Sequence, residues 1–160
     1  MPIQPGDRIP EATLSTMSEG KPVGMTTDEI FSGRKVLLFA VPGAFTPTCS
    51  ARHLPGFVDL SSEIRQHGID TIACMAVNDV FVMDAWGKSA GTGEILMLAD
   101  GNAEFTRALG LEMDARPFGM GMRSQRFALL ADDGVVRRLF LEGPGEYRVS
   151  SAEHVLAHLD

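Results

Sequence analysis

Three short segments of this chain are almost entirely apolar and show no alternation between polar and apolar positions. They are residues 36–41 (VLLFAV), 71–77 (TIACMAV) and 95–99 (ILMLA). A strand with one face in water alternates with a period of two, whereas a strand covered on both faces is apolar throughout. The segments are far shorter than the roughly 20 residues that a membrane-spanning helix needs. They therefore predict parallel strands buried between two layers of helices.

Two further strands are predicted at residues 127–131 and 135–141. The residues between them, Asp132, Asp133 and Gly134, have the composition of a tight turn. The two strands should therefore form an antiparallel hairpin. Parallel strands followed by such a hairpin predict a mixed sheet.

The intervals between the strands have the features of helices. We predict helices from Thr46 to Gly68, from Asn78 or Asp79 onward, and from Ala103 to Leu109, with Gly110 as a left-handed cap. A last helix is predicted to open at Ser150, with Glu153 completing a capping box, and to run to the C-terminus. This order of elements predicts an α/β fold with helices on both faces of a mixed central sheet, and it is compatible with a thioredoxin-like fold.

Length and charge narrow the class of protein. The 160 residues contain no repeat or linker and are most simply a single domain spanning residues 1–160. Lys and Arg number 14 against 21 Asp and Glu, a net charge of −7. This balance argues against a general nucleic-acid-binding protein, because neutralising phosphates requires a basic surface. The N-terminal MPIQPGDRIP lacks the apolar core of a signal peptide, so we predict a cytoplasmic protein.

One of the two cysteines, Cys49, lies where the first buried strand leads into the first helix. Thr46 is a favoured N-cap residue and Pro47 suits the first helical position. Cys49 is then beside unpaired backbone N–H groups and the positive end of the helix dipole, which lower the pKa of a thiol. Pro55 should kink this helix and weaken its first turn. The alternative is a buried cysteine that only packs. A Cys-x-x-Cys dithiol is excluded, because Thr46 stands in place of the first cysteine.

The segment around Cys49 also carries a family signature. PGAFTPTCS contains the Pro-x-x-x-Thr-x-x-Cys pattern of peroxiredoxins, and PGAFTPTCSARHLPGF resembles their type II (peroxiredoxin-5-like) branch. Further matches follow in the same order at residues 73–88, 98–114, 121–136 and 149–156. The resemblance implies a thioredoxin-like fold and a thiol-dependent peroxidase, active in antioxidant defence, with no metal, haem or flavin cofactor.

The resemblance implies roles for individual residues. Cys49 is expected to attack a hydroperoxide and become a sulfenic acid, releasing water or an alcohol. Thr46 would hydrogen-bond the peroxide, Arg123 would contact both thiolate and substrate, and Pro42 would shield the sulfur. Without the resemblance, Arg123 would be interpreted as an ordinary surface arginine.

Phe118 and Met120, on a glycine-containing loop before Arg123, have two interpretations. They form either an apolar rim for alkyl hydroperoxides or part of the core.

For Cys74, packing in the core is the default interpretation. Some type II members have a second cysteine at this spacing, where it is proposed to resolve the sulfenic acid, so Cys74 is a candidate resolving cysteine. Other members use a cysteine near the C-terminus, but residues 143–153 contain none. We therefore expect an external reductant, glutathione with glutaredoxin in preference to thioredoxin. The resemblance alone implies a homodimer.

One alternative remains beside the peroxidase. A redox-sensing or chaperone-like interaction protein could use the same oxidisable Cys49. His154 and His158 have the i, i+4 spacing of metal ligands, but no third ligand is evident in the sequence, so we predict no metal site.

Overall fold

The computed structural model describes residues 2–48 and 52–159. Its strands are β1 (Thr13–Ser18), β2 (Lys21–Thr26), β3 (Lys35–Ala40), β4 (Thr71–Ala76), β5 (Leu96–Ala99), β6 (Glu112–Asp114), β7 (Met122–Ser124), β8 (Phe127–Asp132) and β9 (Val135–Leu141). Its helices are α1 (Thr27–Phe31), α2 (Leu54–Arg65), α3 (Val80–Ala90), α4 (Glu104–Leu109) and α5 (Ala152–Leu156), with a 3₁₀ turn at Arg116–Phe118.

The main sheet has the strand order β2-β1-β5-β4-β3-β8-β9. Strands β3, β4 and β5 are parallel, whereas β8 pairs antiparallel with both β3 and β9. The mixed central sheet and its parallel middle, both predicted from the unbroken apolar runs, are confirmed. A separate two-stranded sheet joins β6 to β7.

Both faces of the sheet are buried. Along β3, Leu37 and Phe39 pack into the cluster that contains α2, α3 and α5, whereas Leu38 and Ala40 pack into the cluster that contains α1 and α4. The alternation of side chains along a strand sends neighbouring residues to opposite layers, so every position must be apolar. This packing explains why the sequence of β3 does not alternate.

The hairpin of β8 and β9 has the turn that was predicted. Asp132 pairs with Val135, and the two residues between them have positive φ angles, +50° at Asp133 and +77° at Gly134. Positive φ at both central positions is the type I′ geometry that suits the twist of a two-residue hairpin.

The predicted helix ends are partly correct. Asp79 caps α3 by accepting a hydrogen bond of 2.8 Å from the backbone N–H of Val82. Gly110, with φ of +72°, ends α4, and Ala103 is the residue before α4 instead of its first residue.

The predicted last helix is present, but both of its predicted ends were wrong. The cap of α5 is Ser151, whose hydroxyl accepts from the N–H of His154 at 3.2 Å, and α5 ends at Leu156 before the C-terminus. Ser150 lies one residue before the cap, and its hydroxyl donates to the carboxylate of Glu142 at 2.6 Å.

The first predicted helix, from Thr46 to Gly68, is irregular. Pro47 and Thr48 are helical, Arg52 and His53 have π-helical geometry, and the regular α2 begins at Leu54. Pro55 therefore lies in the first turn of α2, and the irregularity falls just before it instead of as a kink inside the helix. The helix ends at Arg65, and residues 66–68 form a turn.

Several elements were missed by the sequence interpretation: β1, β2, α1, β6 and β7. Strand β2 lies at the edge of the main sheet and includes Pro22 and Gly24, residues that a sheet tolerates mainly at its edges. Across the described residues, no helix is long and apolar enough to cross a membrane.

Candidate active site

The segment that follows β3 passes the carboxyl end of the parallel strands, where α/β sheets commonly bind ligands. It is tied to the end of β4, because the N–H of Ala44 donates to the side-chain oxygen of Asn78 at 2.9 Å. Phe45 has a φ angle of +62°, a left-handed conformation that costs energy for a residue with a side chain and is common at functional sites. The turn is therefore held in an unusual path directly ahead of Thr46.

Three of the predicted site residues converge on Gly43. A methyl group placed on Gly43 would lie 3.2 Å from Cε of Met120, 3.3 Å from Cγ2 of Thr46 and 3.4 Å from Nη1 of Arg123. These distances are at or below normal van der Waals contact, so only glycine leaves room for all three side chains. Residues far apart in the sequence are thus brought together around one backbone position.

Thr46 is half-buried and directly precedes the helical residues Pro47 and Thr48, as predicted. Its hydroxyl donates to the carbonyl oxygen of Gly43 at 2.7 Å. Because its one proton is committed, the lone pairs of the oxygen remain able to accept a hydrogen bond. The hydroxyl can therefore orient a protonated oxygen of a bound molecule.

Cys49 lies, with Ser50 and Ala51, outside the described residues. Its assignment as the nucleophile stays a prediction. The structure describes its neighbours on both sides, Thr48 and Arg52.

Arg123, on β7, is held by two backbone carbonyl groups. Its Nε donates to the oxygen of Met120 at 2.7 Å, and its Nη1 donates to the oxygen of Val77 at 3.0 Å. Carbonyl oxygens fix the guanidinium group without cancelling its charge. The side chain is therefore oriented beside Gly43 and Thr46.

A depression of about 640 Å³ opens next to this cluster. Pro42 and Thr48 line one side of it, and Phe118, Arg126 and Tyr147 line others. Phe118 is 79% exposed, so the interpretation of Phe118 as a core residue was wrong. Met120 lies instead against Gly43, so the structure separates two residues that the sequence treated alike.

The sequence interpretation missed a buried polar group beside this depression. His53 is 0% exposed, and its Nδ1 lies 2.8 Å from Nη1 of Arg126. Its Nε2 lies 2.9 Å from the carbonyl oxygen of Ser150. Burial, and then the charge of Arg126, lower the pKa of His53 to about 3. No local pattern signals the pairing, since His53 and Arg126 are distant in the chain.

Glu142, just after β9, holds the segment that leads into α5. One of its oxygens, Oε2, accepts from the backbone N–H groups of Arg148, Val149 and Ser150 at 2.8–2.9 Å. Burial alone would raise the pKa of this carboxyl group, but the hydrogen bonds from Ser150, Arg148 and Val149 outweigh it and keep the pKa below the ordinary 4.5. The segment that carries Tyr147 is thereby fixed against the sheet.

Cys74 lies in the middle of β4, opposite Phe39 of β3 and Met97 of β5. Its side chain is 0% exposed and packs in the cluster shared with α2 and α3. This placement fits the packing role, and its role as a resolving cysteine stays a prediction.

His154 and His158 stack on each other with ring centroids 4.2 Å apart, and both rings lie edge-on to Phe140. Within the part of the chain that the structure describes, no group of three potential metal ligands occurs.

Comparison with known proteins identifies the family. The sequence profile of the Redoxin family matches residues 4–156. Peroxiredoxin-2E-2, chloroplastic, of rice (Oryza sativa subsp. japonica) is 54% identical, and the alignment covers 98% of this chain and 72% of the rice protein.

Two solved structures show how closely the fold is shared. The reduced Prx3 of Vibrio vulnificus in complex with H2O2 is 52% identical, covers 99% of both chains and superposes with a TM-score of 0.96. Peroxiredoxin 5 from Alvinella pompejana is 39% identical, covers 99% of this chain and 98% of its own, and gives a TM-score of 0.87. The predicted thioredoxin-like α/β fold is thus confirmed, and the chain belongs to the type II peroxiredoxins, a family of thiol peroxidases.

Proposed function

We propose that this peroxiredoxin reduces hydrogen peroxide and organic hydroperoxides through a sulfenic acid on Cys49. The observation that carries the proposal is that the side chains of Thr46 and Arg123 both lie against Gly43. Gly43 belongs to the signature segment and precedes Cys49 by six residues. In the reaction, the Cys49 thiolate attacks one peroxide oxygen and the O–O bond breaks. The sulfur is oxidised to a sulfenic acid, and the departing oxygen takes a proton and leaves as water or an alcohol.

Ionisation of the thiol is only part of the required acceleration. A thiol with an ordinary pKa of about 8.5 is already a few per cent thiolate at neutral pH, so complete ionisation gains roughly thirtyfold. The remainder must come from hydrogen-bond donors that stabilise the charge developing on the departing oxygen, at about 10²–10³ for each well-placed donor. A specialised peroxidase therefore needs several such groups around its sulfur.

Two arginines are proposed as donors. Arg123 is the arginine predicted from the sequence, and it lies beside Thr46 at Gly43. Arg126 is added because it lines the same depression as Pro42 and Thr48, the residue directly before Cys49. Arg123 donates to backbone carbonyl oxygens and Arg126 to the imidazole of His53, and neither kind of acceptor adds a negative charge.

Recycling is proposed to use an external thiol, glutathione with glutaredoxin. A disulfide needs Cα atoms within about 7 Å, and Cys74 is sealed in the core beneath α2 and α3. Glutathione would instead condense with the sulfenic acid, releasing water and forming a mixed disulfide. A second thiol then attacks this disulfide and returns Cys49 to the thiol. The proposal includes a homodimer, which rests on the family resemblance alone, and a cytoplasmic location, which rests on the sequence prediction alone.

The test is steady-state consumption of peroxide with two reducing systems, glutathione plus glutaredoxin and thioredoxin plus its reductase. Wild type should turn over faster with the first system. Cys49→Ser should be inactive with both, and Cys74→Ser should retain most of its turnover with glutathione and glutaredoxin. A Cys74→Ser protein that is oxidised once and cannot be recycled would identify Cys74 as the resolving cysteine and overturn the proposed route.

The same assay decides against the second candidate, a redox-sensing or chaperone-like protein. Such a protein is oxidised about once per chain and then stops, even with reductant in excess. Continued turnover by wild type, together with none by Cys49→Ser, is the result expected of a peroxidase.

A further inference from the structure

His53 is a fully buried histidine with a defined partner at each ring nitrogen. Its ring packs against Phe39, Phe57 and Tyr147, with centroid distances of 5.1, 5.6 and 5.2 Å. The two ring nitrogens contact the Arg126 guanidinium and the Ser150 carbonyl oxygen. The imidazole is therefore held in one orientation by both packing and hydrogen bonds.

The chemistry of these two partners fixes the tautomer. A guanidinium group can only donate, so Nδ1 of His53 must offer its lone pair to Arg126. A carbonyl oxygen can only accept, so Nε2 must carry the proton that is donated to Ser150. His53 is thus a neutral acceptor for Arg126, and protonation of Nδ1 would place an N–H group against the guanidinium.

We propose that His53 is a positioning residue that holds the guanidinium of Arg126 toward the peroxide site without itself adding a negative charge beside it. This inference rests on the proposed function, in which Arg126 is one of the donors around Cys49. It concerns a residue whose ring is completely buried and cannot itself meet the substrate.

The neutrality of the acceptor is what matters for the chemistry. Arg116 illustrates the other case, since its guanidinium is paired with the carboxylate of Asp114 at 2.7 Å. A carboxylate in the place of His53 would orient Arg126 equally well, but it would offset most of the field that stabilises an anion on the sulfur or on the departing oxygen. A neutral imidazole orients the cation and adds no negative charge of its own.

Tyr147 restricts Arg126 from a second direction. The Arg126 guanidinium carbon lies 5.8 Å from the centre of the Tyr147 ring, and that of Arg52 lies 4.6 Å from it. The Tyr147 segment is fixed in turn by Glu142, whose carboxylate accepts from residues 148–150. Arg126 is therefore held by a hydrogen bond to His53 and by contact with an aromatic ring.

Three substitutions at His53 separate its two hydrogen bonds. His53→Asn places an amide oxygen near the position of Nδ1 and keeps an acceptor for Arg126. His53→Gln places an amide nitrogen near the position of Nε2 and keeps the donor to Ser150. His53→Phe keeps the size of the ring and removes both bonds. Each variant is prepared in the full chain on a Cys74→Ser background, so that only Cys49 reacts.

Two measurements are made on each variant: the stopped-flow rate of Cys49 oxidation by hydrogen peroxide, and thiolate absorbance as a function of pH. We expect His53→Phe and His53→Gln to lower the rate about 10-fold to 100-fold, because misplacing a catalytic donor by about 1 Å has an effect of this size. Both should also raise the pKa of Cys49. His53→Asn should stay within a few-fold of the parent protein in rate and leave the pKa unchanged.

The outcomes separate positioning from a merely structural role. If His53→Asn loses as much rate as His53→Phe, or if His53→Phe keeps the parent rate and thiolate pKa, the proposal is overturned. If His53→Phe does not fold, His53→Asn is compared with His53→Gln instead. A rate of Cys49 oxidation and a thiolate pKa that are the same in these two variants then overturn the proposal. On an Arg126→Ala background, His53→Phe should cause no further loss, and a full additional loss contradicts action through Arg126. Failure of the proposed function has a different signature, namely peroxide turnover by Cys49→Ser.

Discussion

Arg123 and Arg126 are close in the sequence, yet the structure holds them in different ways. Arg123 is anchored by the backbone carbonyl oxygens of Met120 and Val77. Arg126 is anchored by a side chain, the imidazole of His53, and by contact with the ring of Tyr147. These acceptors are all neutral, so they orient the two cations without adding a negative charge beside either.

Because the two arginines are anchored differently, they differ in which of their contacts a single substitution can remove. A substitution cannot remove a backbone carbonyl group. The position of Arg123 can therefore be changed only by replacing Arg123 itself or by disturbing its contact with Gly43. The position of Arg126 depends on the side chains of His53 and Tyr147, and a single substitution can remove either of them. The following predictions use this contrast.

The largest effect is expected from removing either arginine. Arg123→Ala and Arg126→Ala should each lower the rate of Cys49 oxidation by about 10²–10³ and raise the pKa of the thiol, because each removes a cationic donor. Stopped-flow oxidation and thiolate absorbance against pH provide the measurements. Arg116→Ala is the control, since that guanidinium is exposed and already paired with Asp114. An arginine whose removal changes neither quantity does not belong to the site.

A smaller effect is expected from Gly43→Ala, which disturbs Arg123 and its neighbours but does not contact Arg126. The added methyl group would press on Met120, Thr46 and Arg123 at 3.2–3.4 Å, and the resulting shift should lower the oxidation rate about tenfold. Gly56→Ala is the matched control, because its methyl group would meet ordinary contacts of 3.7 Å or more.

The Gly43 variant also tests whether the two sides act independently. If they do, the losses from Gly43→Ala and His53→Phe should add in free energy, because the substitutions affect different arginines. A double variant that is no slower than the worse single variant would show that the two arginines are anchored as one unit.

Glu142→Gln should affect stability more than catalysis. The hydrogen bonds to this carboxylate lower its pKa in the folded state, so its contribution is complete above the unfolded pKa of about 4.5 and is lost as pH falls through the lower folded value. At neutral pH the substitution should destabilise the fold by about 1–3 kcal/mol.

Urea unfolding at a series of pH values measures this effect. The difference in free energy of unfolding between wild type and Glu142→Gln should shrink as the pH falls below 4.5 and the carboxyl group of Glu142 becomes protonated. Glu146→Gln is the control, because its ion pair with Arg148 is exposed. A difference that stays constant with pH would mean that the charge of Glu142 does not stabilise the segment.

The smallest effect is expected from Phe118→Ala, at the rim of the depression. Phe118 is 79% exposed, so only part of its ring can cover a bound molecule, and the loss should be about threefold to tenfold in kcat/KM for cumene hydroperoxide. Hydrogen peroxide, which has no apolar group, should be consumed at the wild-type rate. Phe81→Ala is the control, because Phe81 is exposed but lies on α3. An equal loss with both peroxides would remove Phe118 from substrate recognition.

The sequence predicted the strands well where burial left a strong pattern. The unbroken runs that became β3, β4 and β5 placed three parallel strands within one residue of their observed ends. It missed both β1 and β2. For β2 the reason is that this exposed edge strand contains Pro22 and Gly24, which do not form a strand pattern. It also chose Ser150 over Ser151 as the cap of α5, because Glu153 three residues after Ser150 suggested a capping box, whereas α5 is capped one residue later.

For the site, local sequence was informative only within one stretch of chain. The signature predicted roles for Pro42, Thr46 and Cys49, which lie within eight residues of one another in the sequence. It could not show that Met120 packs against Gly43 while Phe118 faces solvent, since both residues are apolar and lie on the same loop. It also gave no indication of His53, which in sequence is one polar residue near the start of a helix.

The parallel core and the hairpin turn were thus readable from the sequence without a structure, and the sequence also predicts Cys49 at a strand–helix junction. These depend on short-range periodicity, turn chemistry and the spacing of neighbouring residues. Only the tertiary structure decided how the two arginines are anchored and that a buried, neutral His53 supports one of them. The hydrogen bond from Arg126 to His53 joins residues 73 positions apart. Whether such a pair meets depends on how the helix and the sheet pack, which no local pattern in the chain encodes.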